Sequence, residues 1–279
     1  MSNVLKSSIF KLLRDRTFHV TLIVGGILAV LISLIYFIID LSLSTQTNGP
    51  IHAMATGSNM LLNSVSPVQN FGIAIPINLI NIIVAEFTYG TIRNKVIVGY
   101  RKTQIYFGLF IVGLIFSLTL AFFYVGFSVA LGCIFGGFNP SGSYTSLVRN
   151  LSGAAIAEYI GMAICVYIFI TSLALFFATV FRHVGGAITV NILVLIFFMI
   201  LPIIFLATFS SDEEVRNAAN AVKWFDPIFY QSITVNLALA SLVAFDQDAN
   251  FVAGIISPLI YAAIFFFLGM YIFAHRDLK

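Results

Sequence analysis

Residues 105–135 read IYFGLFIVGLIFSLTLAFFYVGFSVALGCIF, a run with no charged side chain. About 20 apolar residues cross the hydrocarbon of a bilayer as a helix. A run this long therefore spans with tilt or extends past the lipid. Five further apolar runs lie around it, at about 18–43, 71–87, 151–181, 187–209 and 251–273. The chain is 60% hydrophobic and 9% charged, where a soluble domain carries about 25% charged residues. Mean hydropathy is +1.03. Six spans and their loops use nearly all of the 279 residues. The expected fold is a single all-α transmembrane domain over 1–279, leaving no chain for a soluble catalytic domain.

The loops give the orientation. With six spans, Lys6, Lys11, Arg14, Arg16, Arg93, Lys95, Arg101, Lys102, Arg182, Arg276 and Lys279 fall on one side, against Arg149, Arg216 and Lys223 on the other. Basic residues concentrate on the cytoplasmic side, so both termini are expected there. The net charge of +3 thus reflects membrane orientation and gives no sign of nucleic-acid binding. Residues 1–17 place Leu5, Ile9, Leu12 and Leu13 at helical spacing opposite a basic face, which suits a helix in the membrane interface. The run that follows is too long for a cleaved signal peptide.

The uncharged segment 44–70 reads as an outer loop with a short surface helix near 54–62. Gly132 and Gly136 form a GxxxG pair that permits close helix approach. Asn139-Pro140-Ser141-Gly142 marks a turn. Residues 233–245 are apolar but short for a span. They are read as re-entrant or lying flat, the rival being a seventh span that would separate the termini. Cys133 and Cys165 lie inside apolar runs and are expected to be buried thiols.

No GxxxxGK[ST] loop and no HExxH occurs. His19, His52, His183 and His275 show no metal-ligand spacing. No catalytic, metal or cofactor residue is expected in this chain. The informative segment is 86–102, EFTYGTIRNKVIVGYRK. Ile92 and Val96 share a helical face, four basic residues flank them, and Gly99 can end a short helix. The segment reads either as a compact helix that docks into a partner's groove or as an ordinary basic loop.

Glu86, Gly90-Thr91, Arg93, Gly99 and Arg101 resemble the E-x3-GT-x-R…G-x-R run of type 2 ABC transporter permeases, most closely the small peptide-export and bacteriocin-immunity members. The motif covers about 17 residues, while the likeness in topology covers the chain. Val98-Gly99-Tyr100 stands where many members have a proline and a serine or threonine. The resemblance implies a half-transporter in a bacterial cytoplasmic membrane, paired with a second, identical membrane subunit. Two separate ATPase subunits would bind ATP and magnesium. Residues 86–102, with Ile92 and Val96 among them, would form the coupling helix. The segment 224–245, bearing Trp224, Phe229 and Tyr230, would be the outer cap.

Glu158 lies within the fourth run. It either faces a substrate pathway or pairs near the outer interface, for instance with Arg149, since an unpaired carboxyl in hydrocarbon is costly. Asn78 and Asn81 share a face of the second run and either line the pathway or bond another helix. The 29 phenylalanines serve as membrane filler or as an apolar lining for amphipathic cargo. The leading expectation is an ATP-driven exporter of a peptide, bacteriocin, drug or lipid-like compound. Its rivals are a stand-alone secondary transporter or channel, which would want paired intramembrane charges or an internal repeat, and a non-transporting scaffold or intramembrane enzyme.

Overall fold

A computed structural model describes residues 2–47, 55–67, 74–138, 153–181, 183–207, 217–219, 221–229 and 247–276. Among these the chain is helical, with no strand. The elements are α1 (Ser2–Arg14), α2 (Arg16–Thr47), α3 (Gly57–Val65), α4 (Ala74–Thr88), α5 (Thr91–Ile97), α6 (Lys102–Gly136), α7 (Gly153–Val180), α8 (Val184–Ala207) and α9 (Gln247–His275). Five of them are long and apolar enough to cross a membrane, six if α4 and α5 are taken as one bent span. The chain is a multi-pass α-helical membrane protein.

The core gathers on α7. Val166, Phe169, Leu173, Ala174 and Leu175 are all fully buried, and α4, α6, α8 and α9 pack around them. A polar pin fixes the α6–α7 contact: the Ser117 and Thr171 hydroxyls lie 3.0 Å apart, and Ser117 also donates to the Gly113 carbonyl at 2.9 Å. In hydrocarbon such bonds replace a hydrophobic driving force between helices. On the outside, Ile23, Ile27, Leu31, Ile35 and Ile38 form an exposed stripe on α2, and Leu193, Phe197, Ile200 and Ile204 one on α8. Bare aliphatic stripes of this length are what lipid solvates.

The N-terminal helix, expected over 1–17, ends at Arg14. Asp15 breaks α1 from α2, and its carboxylate accepts the Thr17 N–H at 2.9 Å, an N-cap for α2. Leu12 and Phe18 are buried on either side of the break, while Phe10 and Leu13 stay exposed.

The short helix expected at the surface near 54–62 is instead the buried α3. Met60, Ser58, Ser64 and Val65 are buried against α6, and the GxxxG pair explains why. A Cβ on Gly132 would lie 2.7 Å from Met60 Cγ and 3.1 Å from Gly57 Cα; one on Gly136 would lie 2.9 Å from the Ala55 carbonyl oxygen. Asp40 at the far end of α2 is buried and accepts the Ala55 N–H at 2.6 Å. Cys133 is exposed rather than buried, and Cys165 is half-buried. Cys133 follows Gly132 on α6, and although the residue is exposed its Sγ lies against α3, 2.6 Å from where a Cβ on Gly57 would stand.

Candidate functional site

Where α4 ends, the chain turns by 53° into α5. Gly90 makes this turn with φ +68°, a left-handed conformation that costs a side chain roughly 1–2 kcal/mol. Its carbonyl already accepts the Asn94 N–H at 2.9 Å, the first bond of α5. The end of α5 is a Schellman cap: the Gly99 N–H bonds the Val96 carbonyl at 2.9 Å and the Tyr100 N–H the Lys95 carbonyl at 3.2 Å, with Gly99 at φ +100°. Neither glycine has an atom within 4 Å of an added Cβ, so conformation, not space, demands glycine at both.

Side chains then fasten α5 from beneath. Ile92 is buried in the main core, and Val96 packs against that core. Glu86 is buried and takes both of its charge partners at once: Lys95 of α5 at 3.2 Å, and Lys11 of α1. Lys95 also donates to Ser8 Oγ at 3.2 Å. One carboxylate thus joins α1, α4 and α5. Ile92 and Glu86 are thus buried against the bundle, and Val96 is half-buried beside them.

The outward face of the turn and helix carries Tyr89, Arg93, Asn94, Ile97, Val98 and Arg101. Ile97 is 72% and Val98 74% exposed. Thr91 is half-buried at the first position. Two aliphatic side chains stand bare between two guanidinium groups, at the end of the molecule where the other cations gather.

That end is tied together around α5. Lys102 Nζ donates to the carbonyls of Ala274 and Arg276 at 3.0 and 2.8 Å, placing a cation at the C-terminus of α9 where the helix dipole favours it. Arg276 reaches the Thr179 carbonyl in the last turn of α7, and its guanidinium lies 5.3 Å from the centre of the Phe87 ring. The ends of α4, α6, α7 and α9 are therefore linked within a few residues of α5.

Asn78 donates to the Ala74 carbonyl of its own helix at 2.9 Å. Asn81 is half-buried on the same stripe of α4. Glu158 is half-buried on α7 with no ion pair among the described residues, and Arg149 lies outside them. Asn191 on α8, which the apolar pattern gave no reason to single out, is fully buried with neither amide atom bonded among the described residues.

At the far end, residues 217–219 and 221–229 pack against α3, α7 and α9 through Ala218, Ala219 and Phe229 with Val65, Tyr159, Met162 and Ala253. Phe229 is buried and Trp224 half exposed; Tyr230 and 233–245 lie outside the described residues. Asp226 is also buried here, and burial pushes its carboxyl up to about 7 despite the opposing hydrogen bond from the Ile228 N–H. A lone acid in the apolar stretch 221–230 was the signal for it. No group of three metal-ligating side chains occurs among the described residues. Compared with known proteins, the chain matches no family model and no curated relative.

Proposed function

We propose that the chain is the membrane subunit of an ATP-driven ABC exporter, with no catalytic role of its own, and that α5 is the helix through which separate ATPase subunits move it. The observation that supports this reading is the outward face of α5. Ile97 and Val98 are bare between Arg93 and Arg101, on an element whose other face is locked to the bundle by Ile92 and Glu86. A partner groove with apolar walls and acidic rims complements that face. A push on it would pass into α4 through the Gly90 turn and into α1 through Lys11. It would reach α6, α7 and α9 through Lys102 and Arg276.

In this reading six spans place both termini in the cytoplasm of a bacterium, the chain pairs with a second, identical copy in the cytoplasmic membrane, and two ATPases bind ATP and magnesium below. The cargo is amphipathic: a peptide, a bacteriocin, a drug or a lipid-like compound. The phenylalanine rings that crowd α6, α7 and α9, with Tyr106, Phe266 and Phe273 within 6 Å of one another in successive pairs, suit such a cargo.

The test is purification of the full chain from its native membrane under mild conditions. The expected result is co-purification of an ATPase carrying a phosphate loop. Gradient-driven flux by the chain reconstituted alone would favour a stand-alone transporter or channel instead.

A further inference from the structure

Asp226 is 2% exposed. One carboxyl oxygen accepts the Ile228 N–H at 2.8 Å, and the other has no hydrogen-bond partner among the described residues. The residue before it is fastened as well: the Tyr261 hydroxyl of α9 donates to the Phe225 carbonyl at 2.8 Å. The Tyr261 ring itself lies among Phe169 of α7 and Phe198 of α8, at 6.1 and 5.7 Å. Tyr261 stands ten residues along α9 from Phe251, about 15 Å of helix rise. The segment bearing Asp226 is thus fastened to α9 at that point, through the Phe225 carbonyl.

A buried carboxylate with an oxygen left unbonded is costly, whereas the neutral acid in the same place is not. Among the described residues, Lys223 lies on the turn that bears Asp226, Tyr261 of α9 senses the Asp226 charge, and Tyr159 of α7 packs in the same cluster as Phe229. No ion pair to Asp226 is formed among the described residues. The geometry points to Asp226 as a proton-binding site that holds residues 221–229 in their seat: protonated, the carboxyl stays buried beside the Phe225–Tyr261 bond, and ionised, it draws the segment out toward water. The proton leaves to solvent on release and returns from solvent on seating.

The sign follows from linkage. A carboxyl whose pKa is higher in the seated state stabilises seating in acid. That stabilisation is progressively lost as pH climbs from the ordinary carboxylate value through about 7. This inference goes beyond the transport reading and does not require an ATPase.

Trp224 is the only tryptophan in the chain and stands two residues from Asp226, so its fluorescence reports on this segment without a label. Acrylamide quenching of Trp224 would be followed in the full chain in lipid nanodiscs, across about two pH units on either side of about 7. Quenching is expected to rise with pH through a midpoint near that value. Asp226→Asn, a neutral isostere, is expected to hold the low, acid-form quenching throughout. Tyr261→Phe, which loses the bond to the Phe225 carbonyl, is expected to move the midpoint to lower pH. A flat wild-type profile overturns the proposal, as does an Asp226→Asn profile that titrates like wild type. Should Asp226→Asn fail to fold, an unmoved midpoint in Tyr261→Phe overturns it equally.

Discussion

Glu86 and Lys95 stand on opposite sides of the Gly90 turn, and their side chains meet at 3.2 Å beneath it. The contact closes the angle between α4 and α5. With Lys11 on the other carboxylate oxygen, it makes the orientation of α5 depend on the seating of α1. The lysines are unequally placed: the Lys11 side chain is 52% exposed and that of Lys95 15%.

That asymmetry sets an order. Glu86→Gln keeps the shape but leaves the more buried lysine without its charge partner, a loss of about 1–3 kcal/mol. Lys95→Met is expected to cost less than this, because it removes the buried cation along with its bond. Lys11→Met should cost least, since solvent already screens its pair. Thermal unfolding of the purified chain in detergent checks the order Glu86→Gln, Lys95→Met, Lys11→Met. Equal melting points for all three would show that the pairings do not hold α5.

Gly90→Ala and Gly99→Ala should each cost roughly 1–2 kcal/mol through backbone strain alone, with no steric clash. Asn, which tolerates the left-handed region, should recover part of that loss at either position. Melting temperatures of the Ala and Asn variants, compared pairwise, test this. Equal losses for Ala and Asn would point to another cause.

Lys102→Met and Arg93→Ala should differ although both remove a cation from the same end. Lys102 bonds two carbonyls of the α9 terminus, and charge-assisted bonds are each worth about 1.5–3 kcal/mol. Arg93 is exposed, and surface changes usually stay within about 0.5 kcal/mol. Unfolding of the two variants distinguishes a structural cation from one available to a partner.

Gly132→Leu forces a side chain against Met60 and the Gly57 backbone and should lift α3 off α6, at about 1–3 kcal/mol for overpacking. A disulfide-trapping pair between α3 and α6 that forms in the parent and not in the Gly132→Leu variant would show the displacement.

Much of the fold was legible because hydrocarbon imposes length and apolarity on every span. The helices found at Lys102–Gly136, Gly153–Val180 and Gln247–His275 lie within a few residues of runs read directly from composition. The glycine pair in α6 was legible too, but not what it packs against. GSNMLLNSV has the polarity of a surface helix, and only the bare glycine face across from it makes a buried one. The periodicity of Ile92 and Val96 identified a face of α5, but spacing does not say which side the bundle occupies. Ile97 and Val98, which follow on the same segment, are the exposed pair. The bonds from Lys102 to Ala274 and Arg276 join positions more than 170 residues apart, which no local pattern can announce.

The central claim is that the bare face of α5 is where a separate ATPase docks. Ile97→Cys in otherwise native membranes, treated with a short thiol-to-amine cross-linker, tests it most directly. The predicted result is an adduct with a subunit bearing a phosphate loop, lost when Arg93→Glu is added. Labelling of that thiol by a membrane-impermeant reagent added outside intact cells would contradict it.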